Sequence, residues 1–165
     1  MQRSRKIVVL GHFGVGKTSL IRRFVEDTFS DNYKVSIGVH ITKKVVVLNA
    51  DDAVTFILWD LEGTDEMEQI RDAYLLGTHG VVFVFDVTRP STFQNISRDI
   101  EIVRQKIQGP PILVVGNKTD LIDLEKLEQQ MLENTIPYDF LTSAKTGNEV
   151  EAVFLKLATL LNEDA

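Results

Sequence analysis

Residues 11 to 18, Gly11-His12-Phe13-Gly14-Val15-Gly16-Lys17-Thr18, carry the G-x-x-x-x-G-K-[ST] spacing of a phosphate-binding loop. An apolar run, Ile7-Val8-Val9-Leu10, precedes it, and Ser19-Leu20-Ile21-Arg22-Arg23-Phe24 follows. A strand therefore feeds a helix through glycines, which is the context such a loop requires. The glycines let the backbone curl so that several N–H groups point at one spot, and the helix N-terminus adds its positive end. From there Lys17 reaches β- and γ-phosphates, and the Thr18 hydroxyl binds Mg²⁺. The alternative is a glycine-rich β–α turn that holds no ligand.

The rest of the chain extends this strand–helix alternation. Val39 to Leu48 and Val54 to Trp59 read as the two strands of a hairpin around Asn49-Ala50-Asp51-Asp52. Glu26 to Lys34 and Asp60 to Arg71 are polar and read as loops. Val81 to Phe85 and Ile112 to Val115 are continuous apolar runs, as strands covered on both faces must be. Phe93, Ile96, Ile100, Val103 and Ile107 recur at helical spacing until Gly109-Pro110-Pro111. Leu124 to Leu132 reads as a helix, Tyr138 to Leu141 as a short strand, and Val150, Val153, Phe154, Leu157 and Leu161 as one face of a last helix. The pattern predicts a doubly wound α/β fold with the phosphate-loop NTPase architecture. Its sheet is six-stranded and mostly parallel, with one antiparallel strand and helices on both faces.

At 165 residues the chain suits a single domain. A net charge of -6 argues against nucleic acid as a main partner, because its backbone is held by clustered Lys and Arg. A nucleotide is not excluded, since one loop holds its phosphates. The chain has no cysteine, so disulfides and thiolate zinc sites are absent. No apolar run approaches the length of a membrane span, and Met1 to Lys6 is too short and charged for a signal peptide. A reducing, cytoplasmic compartment is expected.

Ligands on such sheets sit at the carboxyl ends of the strands, and the remaining polar motifs fall there. Trp59-Asp60-Leu61-Glu62-Gly63 puts a carboxylate at a strand end, where a phosphate-loop protein holds Mg²⁺ directly or through water. Asn117-Lys118-Thr119-Asp120 follows the strand ending at Gly116. A carboxylate there accepts two hydrogen bonds from the N1–H and exocyclic amine of guanine, a donor pair adenine lacks. Each charge-assisted bond contributes roughly 1.5–3 kcal/mol, so its loss discriminates at least tens-fold. The Lys118 stem lies against the base, and Asn117 ties this loop to the phosphate loop. Thr142-Ser143-Ala144-Lys145 follows the last strand, where a backbone N–H can meet guanine O6.

Taken together these motifs resemble the Ras-like small GTPases over nearly the whole chain. Ile37-Gly38-Val39, Trp59-Asp60, Tyr74 with Gly77-Thr78-His79-Gly80, Asp86-Val87-Thr88 and Ser91 to Ile96 look most like the Rab branch. The resemblance implies that Gly14, Val15, Gly16, Lys17, Thr18 and Ser19 bind phosphates. Phe29, Tyr33, Asn117, Lys118, Asp120, Leu121, Ser143, Ala144 and Lys145 complete the nucleotide site. It implies Mg²⁺ as cofactor, with Thr18, Ser36 and Asp60 as its residues, and a catalytic set of Lys17, Ser36, Gly63 and Thr64. Gly63 offers its N–H to the γ-phosphate. Switch I runs through residues 27–39 and switch II through 60–76, and protein effectors or regulators bind there. A monomer is expected.

Several positions depart from the family. Thr64 replaces the Gln that orients the attacking water and is too short to act in the same way. Phe13 occupies a place the family keeps small, where an activating protein's arginine finger enters. Glu62 stands beside the metal and γ-phosphate positions. If it faces them, two unit charges at about 5 Å repel by about 3 kcal/mol at an effective dielectric near 20; turned to solvent, it does little. Ser36 replaces a Thr and keeps the hydroxyl. Arg71, Arg22 and Arg23 are the basic candidates for an internal finger, each weighed against being a surface charge. No Cys stands near Asn162-Glu163-Asp164-Ala165, and position 2 is Gln, so no lipid anchor is expected in this chain. The expectation is a guanine-nucleotide switch with slow hydrolysis. Its rivals are a non-hydrolysing interaction platform and an adenine-nucleotide kinase, the latter disfavoured by Asn117 to Asp120.

Overall fold

A computed structural model describes residues 3–30 and 38–163 of the chain. Among the described residues, β1 (Arg3–Gly11), β2 (Val39–Asn49), β3 (Asp52–Leu61), β4 (Gly80–Asp86), β5 (Ile112–Asn117) and β6 (Phe140–Leu141) form one sheet. Its order is β2-β3-β1-β4-β5-β6. All pairings are parallel except β2 with β3, as the hairpin requires. The helices are α1 (Lys17–Glu26), α2 (Asp72–Leu75), α3 (Ile96–Lys106), α4 (Leu124–Glu133) and α5 (Val150–Glu163).

Alternation along β1 divides the interior into two cores. Ile7 and Val9 face α1 and α5, where Leu20, Phe24, Val153, Phe154 and Leu157 meet them. The rings of Phe24 and Phe154 stack at 4.0 Å. Val8 and Leu10 face the other side, with Leu75 of α2, Ile96 and Val103 of α3, and Leu127 and Met131 of α4. Helices thus cover both faces, and β4 is buried along its whole length. The expected six-stranded, doubly wound architecture is the one observed.

The differences lie at element ends. β1 begins four residues before its apolar run because Arg3 to Lys6 pair with Val54 to Ile57 of β3, and ladder bonds need no apolar side chain. The polar stretch after Asp60 contains a 3₁₀ turn at Met67–Gln69. The 93–107 pattern resolves into a 3₁₀ turn at Pro90–Thr92 and the shorter α3, with Phe93 and Ile107 buried just outside the helix. Because β1, β3, β4, β5 and β6 run parallel, the loops that follow them come to one edge of the sheet. Among the described residues no helix is long and apolar enough to cross a membrane.

Candidate functional site

The phosphate-binding loop leaves β1 at Gly11 and enters α1 at Lys17. Gly14 (φ 71°) and Gly16 (φ 100°) take left-handed conformations that admit glycine at little cost. Gly16 has a second reason: a Cβ there would lie 2.3 Å from Asn117 Nδ2. The Lys17 ammonium is buried and donates to the His12 carbonyl at 3.2 Å, which curls the loop around it. Burial pushes its pKa down to about 8, with the Asp60 carboxylate opposing the shift. A phosphate beside Lys17 would return the charge balance that burial removes.

Thr18 and Asp60 meet behind the loop. The Thr18 hydroxyl donates to Asp60 Oδ2 at 2.5 Å. Asp60 Oδ1 is buried and has no hydrogen-bond partner among the described residues. Burial raises the Asp60 pKa, while Thr18, Lys17 and His40 oppose the rise. A buried carboxylate oxygen without a partner, beside a hydroxyl, is a donor set that fits a hard cation such as Mg²⁺. Ser36 and Tyr33, expected respectively at the metal and the nucleotide, lie outside the described residues, as does most of switch I.

Switch II starts tight against this loop. Thr64 N–H donates to Gly11 O at 3.2 Å, and Glu62 N–H donates to Gly38 O at 2.8 Å. A Cβ on Gly63 would stand 2.8 Å from Phe13 Cα and 3.0 Å from His12 O, so only glycine allows this approach. The Thr64 hydroxyl accepts from Glu66 N–H at 3.1 Å and donates to Glu66 O at 3.2 Å. It closes its own turn. Glu62 is exposed, and its N–H is held by Gly38 O. Phe13 is 42% exposed, at the rim of the loop.

The motifs expected at guanine converge through Asn117. Its Nδ2 donates to Val15 O at 3.1 Å, while Oδ1 accepts from Ala144 N–H at 3.1 Å and Thr142 Oγ1 at 3.2 Å. One amide thus joins the phosphate loop to the loop after β6. Lys118, in a left-handed conformation (φ 73°), donates from Nζ to Gly14 O at 2.8 Å and pairs with Asp86 Oδ2 at 2.9 Å. Its stem then runs across the edge where a base would lie. Ser143 Oγ donates to Asp120 Oδ1 at 2.7 Å, holding an otherwise exposed carboxylate in place. Phe29 packs against the α1–α5 core, and Leu121 is exposed beside Asp120. Ser19 is half-buried in the first turn of α1.

The arginines weighed as internal fingers stand elsewhere. Arg23 donates to Ala144 O at 2.8 Å and Lys145 O at 2.5 Å, buttressing the 143–145 loop. Arg22 is exposed, and Arg71 lies 5.9 Å over the Tyr74 ring. The arginine that reaches the phosphate loop, beside Lys17 and Lys118, is Arg89, whose Nη1 donates to Phe13 O at 2.7 Å. Sequence reasoning missed it because nothing in Asp86-Val87-Thr88-Arg89 signals a contact 76 residues away. It also missed His12, whose ring joins Asp65 at 2.8 Å and Asp99 at 3.0 Å. One signal was present: Asp99 interrupts the apolar face formed by Ile96, Ile100 and Val103.

Known proteins bear on this geometry. A profile described as Ras family matches residues 6–163. The chain is 36% identical to the Ypt/Rab-type GTPase YPT7 of Saccharomyces cerevisiae, across 93% of this chain and 79% of that protein. It is 33% identical to the GTP-binding protein ypt1 of Schizosaccharomyces pombe, covering 96% and 80% of the two chains. Against the Ras-related protein Rab7 of Drosophila melanogaster it is 37% identical, over 93% and 78%. Fold, loop geometry and these similarities agree: the chain belongs to the Ras family, on its Rab branch.

Proposed function

We propose that the chain is a GTP-binding molecular switch, one G domain that hydrolyses GTP to GDP with a slow intrinsic rate. The observation that carries this reading is the Asn117 amide. It joins Val15 of the phosphate loop to Ala144 of the base-side loop, so that Lys17 and Asp120 serve opposite ends of one ligand. Asp120, oriented by Ser143, accepts from guanine N1–H and its exocyclic amine. Lys17 and the amides of Gly14 to Ser19 hold the phosphates. Of the backbone N–H groups in residues 142–145 that could meet guanine O6, that of Ala144 already donates to Asn117, so a base carbonyl there would share it.

Mg²⁺, a cofactor that Ras and Rab GTPases generally use, would be held by Thr18, Asp60 and Ser36, and supplies positive charge against the β- and γ-phosphate oxygens. In the reaction a water oxygen attacks the γ-phosphorus in line as the bond to the β–γ bridging oxygen breaks, giving GDP and phosphate. Lys17 stabilises the charge that develops, and Gly63 N–H faces the γ-phosphate from switch II. Hydrolysis is slow because the short Thr64 side chain spends its hydroxyl proton on Glu66 O and has no second donor for the water. Effectors or regulators bind the switches and β2, where Ile41, Val45 and Val47 are exposed.

The test loads purified protein with GTP and Mg²⁺, competes it with ATP, and follows a single turnover. Guanine preference with slow GDP formation is expected. GTP recovered intact after hours would favour the non-hydrolysing platform, the reading that the Thr64 turn also supports. Absence of affinity for either guanine nucleotide would overturn both.

A further inference from the structure

His12 stands in the phosphate-binding loop with its side chain only 10% exposed. Both ring nitrogens are engaged: Nδ1 lies 2.8 Å from Asp65 Oδ1 in switch II, and Nε2 lies 3.0 Å from Asp99 Oδ2 on α3. Ionised carboxylates only accept, so both contacts are hydrogen bonds when both nitrogens carry protons, as in the imidazolium. Around it, Lys17 of α1 donates to the His12 carbonyl, and Arg89, after β4, donates to the neighbouring Phe13 carbonyl. Asp65 and Asp99 are the charges that meet the ring. The Asp99 hydrogen bond raises the His12 pKa most, burial opposes it, and Asp65 adds to the rise.

The two carboxylates are unequal. Asp99 is 11% exposed, whereas Asp65 is 71% exposed. A neutral imidazole keeps a single N–H, and the buried carboxylate holds it because water cannot replace that bond. Nδ1 then turns a lone pair toward Asp65. The switch II contact is therefore the one that fails on deprotonation. Asp65 follows Thr64 and Gly63 directly, and these lie against Gly11, Phe13 and the His12 carbonyl.

We propose that His12 is a positioning residue for GTP hydrolysis: as an imidazolium bridging Asp99 to Asp65, it holds Gly63 and Thr64 against the phosphate-binding loop, and loss of its proton releases them. The role rests on the GTPase reading given above. A group whose pKa is raised keeps its contact below the ordinary value and loses it as pH rises through the raised one. Hydrolysis aided by the clamp should follow that course.

The experiment uses the full chain loaded with GTP and Mg²⁺. Single-turnover hydrolysis is measured from about pH 5.5 to 9, across the range where histidines titrate, for wild type, Asp65→Ala and Asp65→Asn. GDP affinity is measured alongside. Imidazole NMR signals are followed in the same samples; with three histidines in the chain, single substitutions assign them. Asp65 is exposed, so its variants test the clamp without leaving Asp99 buried and unpaired.

The expected result is a His12 midpoint above the ordinary histidine value and a wild-type rate that falls about tenfold across it, part of the hundredfold that an ångström of misplacement can cost. Asp65→Ala should lower the midpoint, cut the low-pH rate about tenfold and flatten the step, with GDP affinity within about twofold. Asp65→Asn, which keeps an acceptor, should recover part of the rate. If Asp65→Ala matches wild type in rate and pH profile, the role of His12 is overturned while the GTPase reading stands. If guanine nucleotide does not bind, or binds without turnover at any pH, both are overturned.

Discussion

At the scale of single residues, Thr64 gives the sharpest expectation. Its hydroxyl both accepts from and donates to Glu66, so the side chain stabilises the turn and has no donor left for a water outside it. Replacing it by glutamine adds reach and two kinds of polar atom. Thr64→Gln should raise the single-turnover rate about 100-fold, the lower end of the scale on which one positioned polar group acts. An unchanged rate would place the slow step elsewhere, with Phe13 at the loop rim the next position to vary. Glu62 shows what sequence could not decide. Its two alternatives differ only in side-chain direction, which no residue pattern marks; what the fold adds is the Glu62 N–H bond to Gly38 and the close seat of Gly63.

Among elements, the join between β1 and the turn before β4 depends on an uncharged histidine. His79 N–H donates to Lys6 O, and His79 Nδ1 accepts from Lys6 N–H, each at 2.9 Å. Protonation would remove that acceptor. Partial burial lowers the His79 pKa, with Arg5 and Lys6 adding to the effect. Because the folded value lies below the unfolded one, this contribution is intact above the ordinary histidine pKa and is lost as pH falls through the lowered value. Melting temperatures measured below about pH 6.5 should therefore drop less steeply for His79→Ala than for wild type. The strands and longer helices were legible because buried runs and helical spacing repeat over many residues. α2 and the turn at Met67–Gln69 were not, since elements of three or four residues are too short to show a period. The His12 bridge was hidden for another reason: Asp65 and Asp99 lie 53 and 87 residues from it, and nothing local marks such pairings.

For the molecule as a whole, the candidate site depends on loops from distant strands being locked together. Asn117→Ala would strip partners from Val15 O and Ala144 N–H at once, and a buried polar group left unsatisfied costs about 1–3 kcal/mol. Thermal stability and GDP affinity should fall together, whereas a variant that lost affinity at unchanged melting temperature would show that the amide acts on the ligand alone. The motifs for these loops were readable because each sits at a strand end, while the atoms that join them became visible only in three dimensions. The sheet order carries one more consequence. One rim of the sheet is the two-residue β6 and the other is the eleven-residue β2. A backbone ladder can grow at length only along the second. Lys43 places positive charge midway along that rim, on the same face as the exposed Ile41, Val45 and Val47, while Lys44 lies on the other face with its Nζ 5.7 Å from the Phe24 ring. An extended partner segment that added a strand to this sheet would therefore do so along β2 and not along β6.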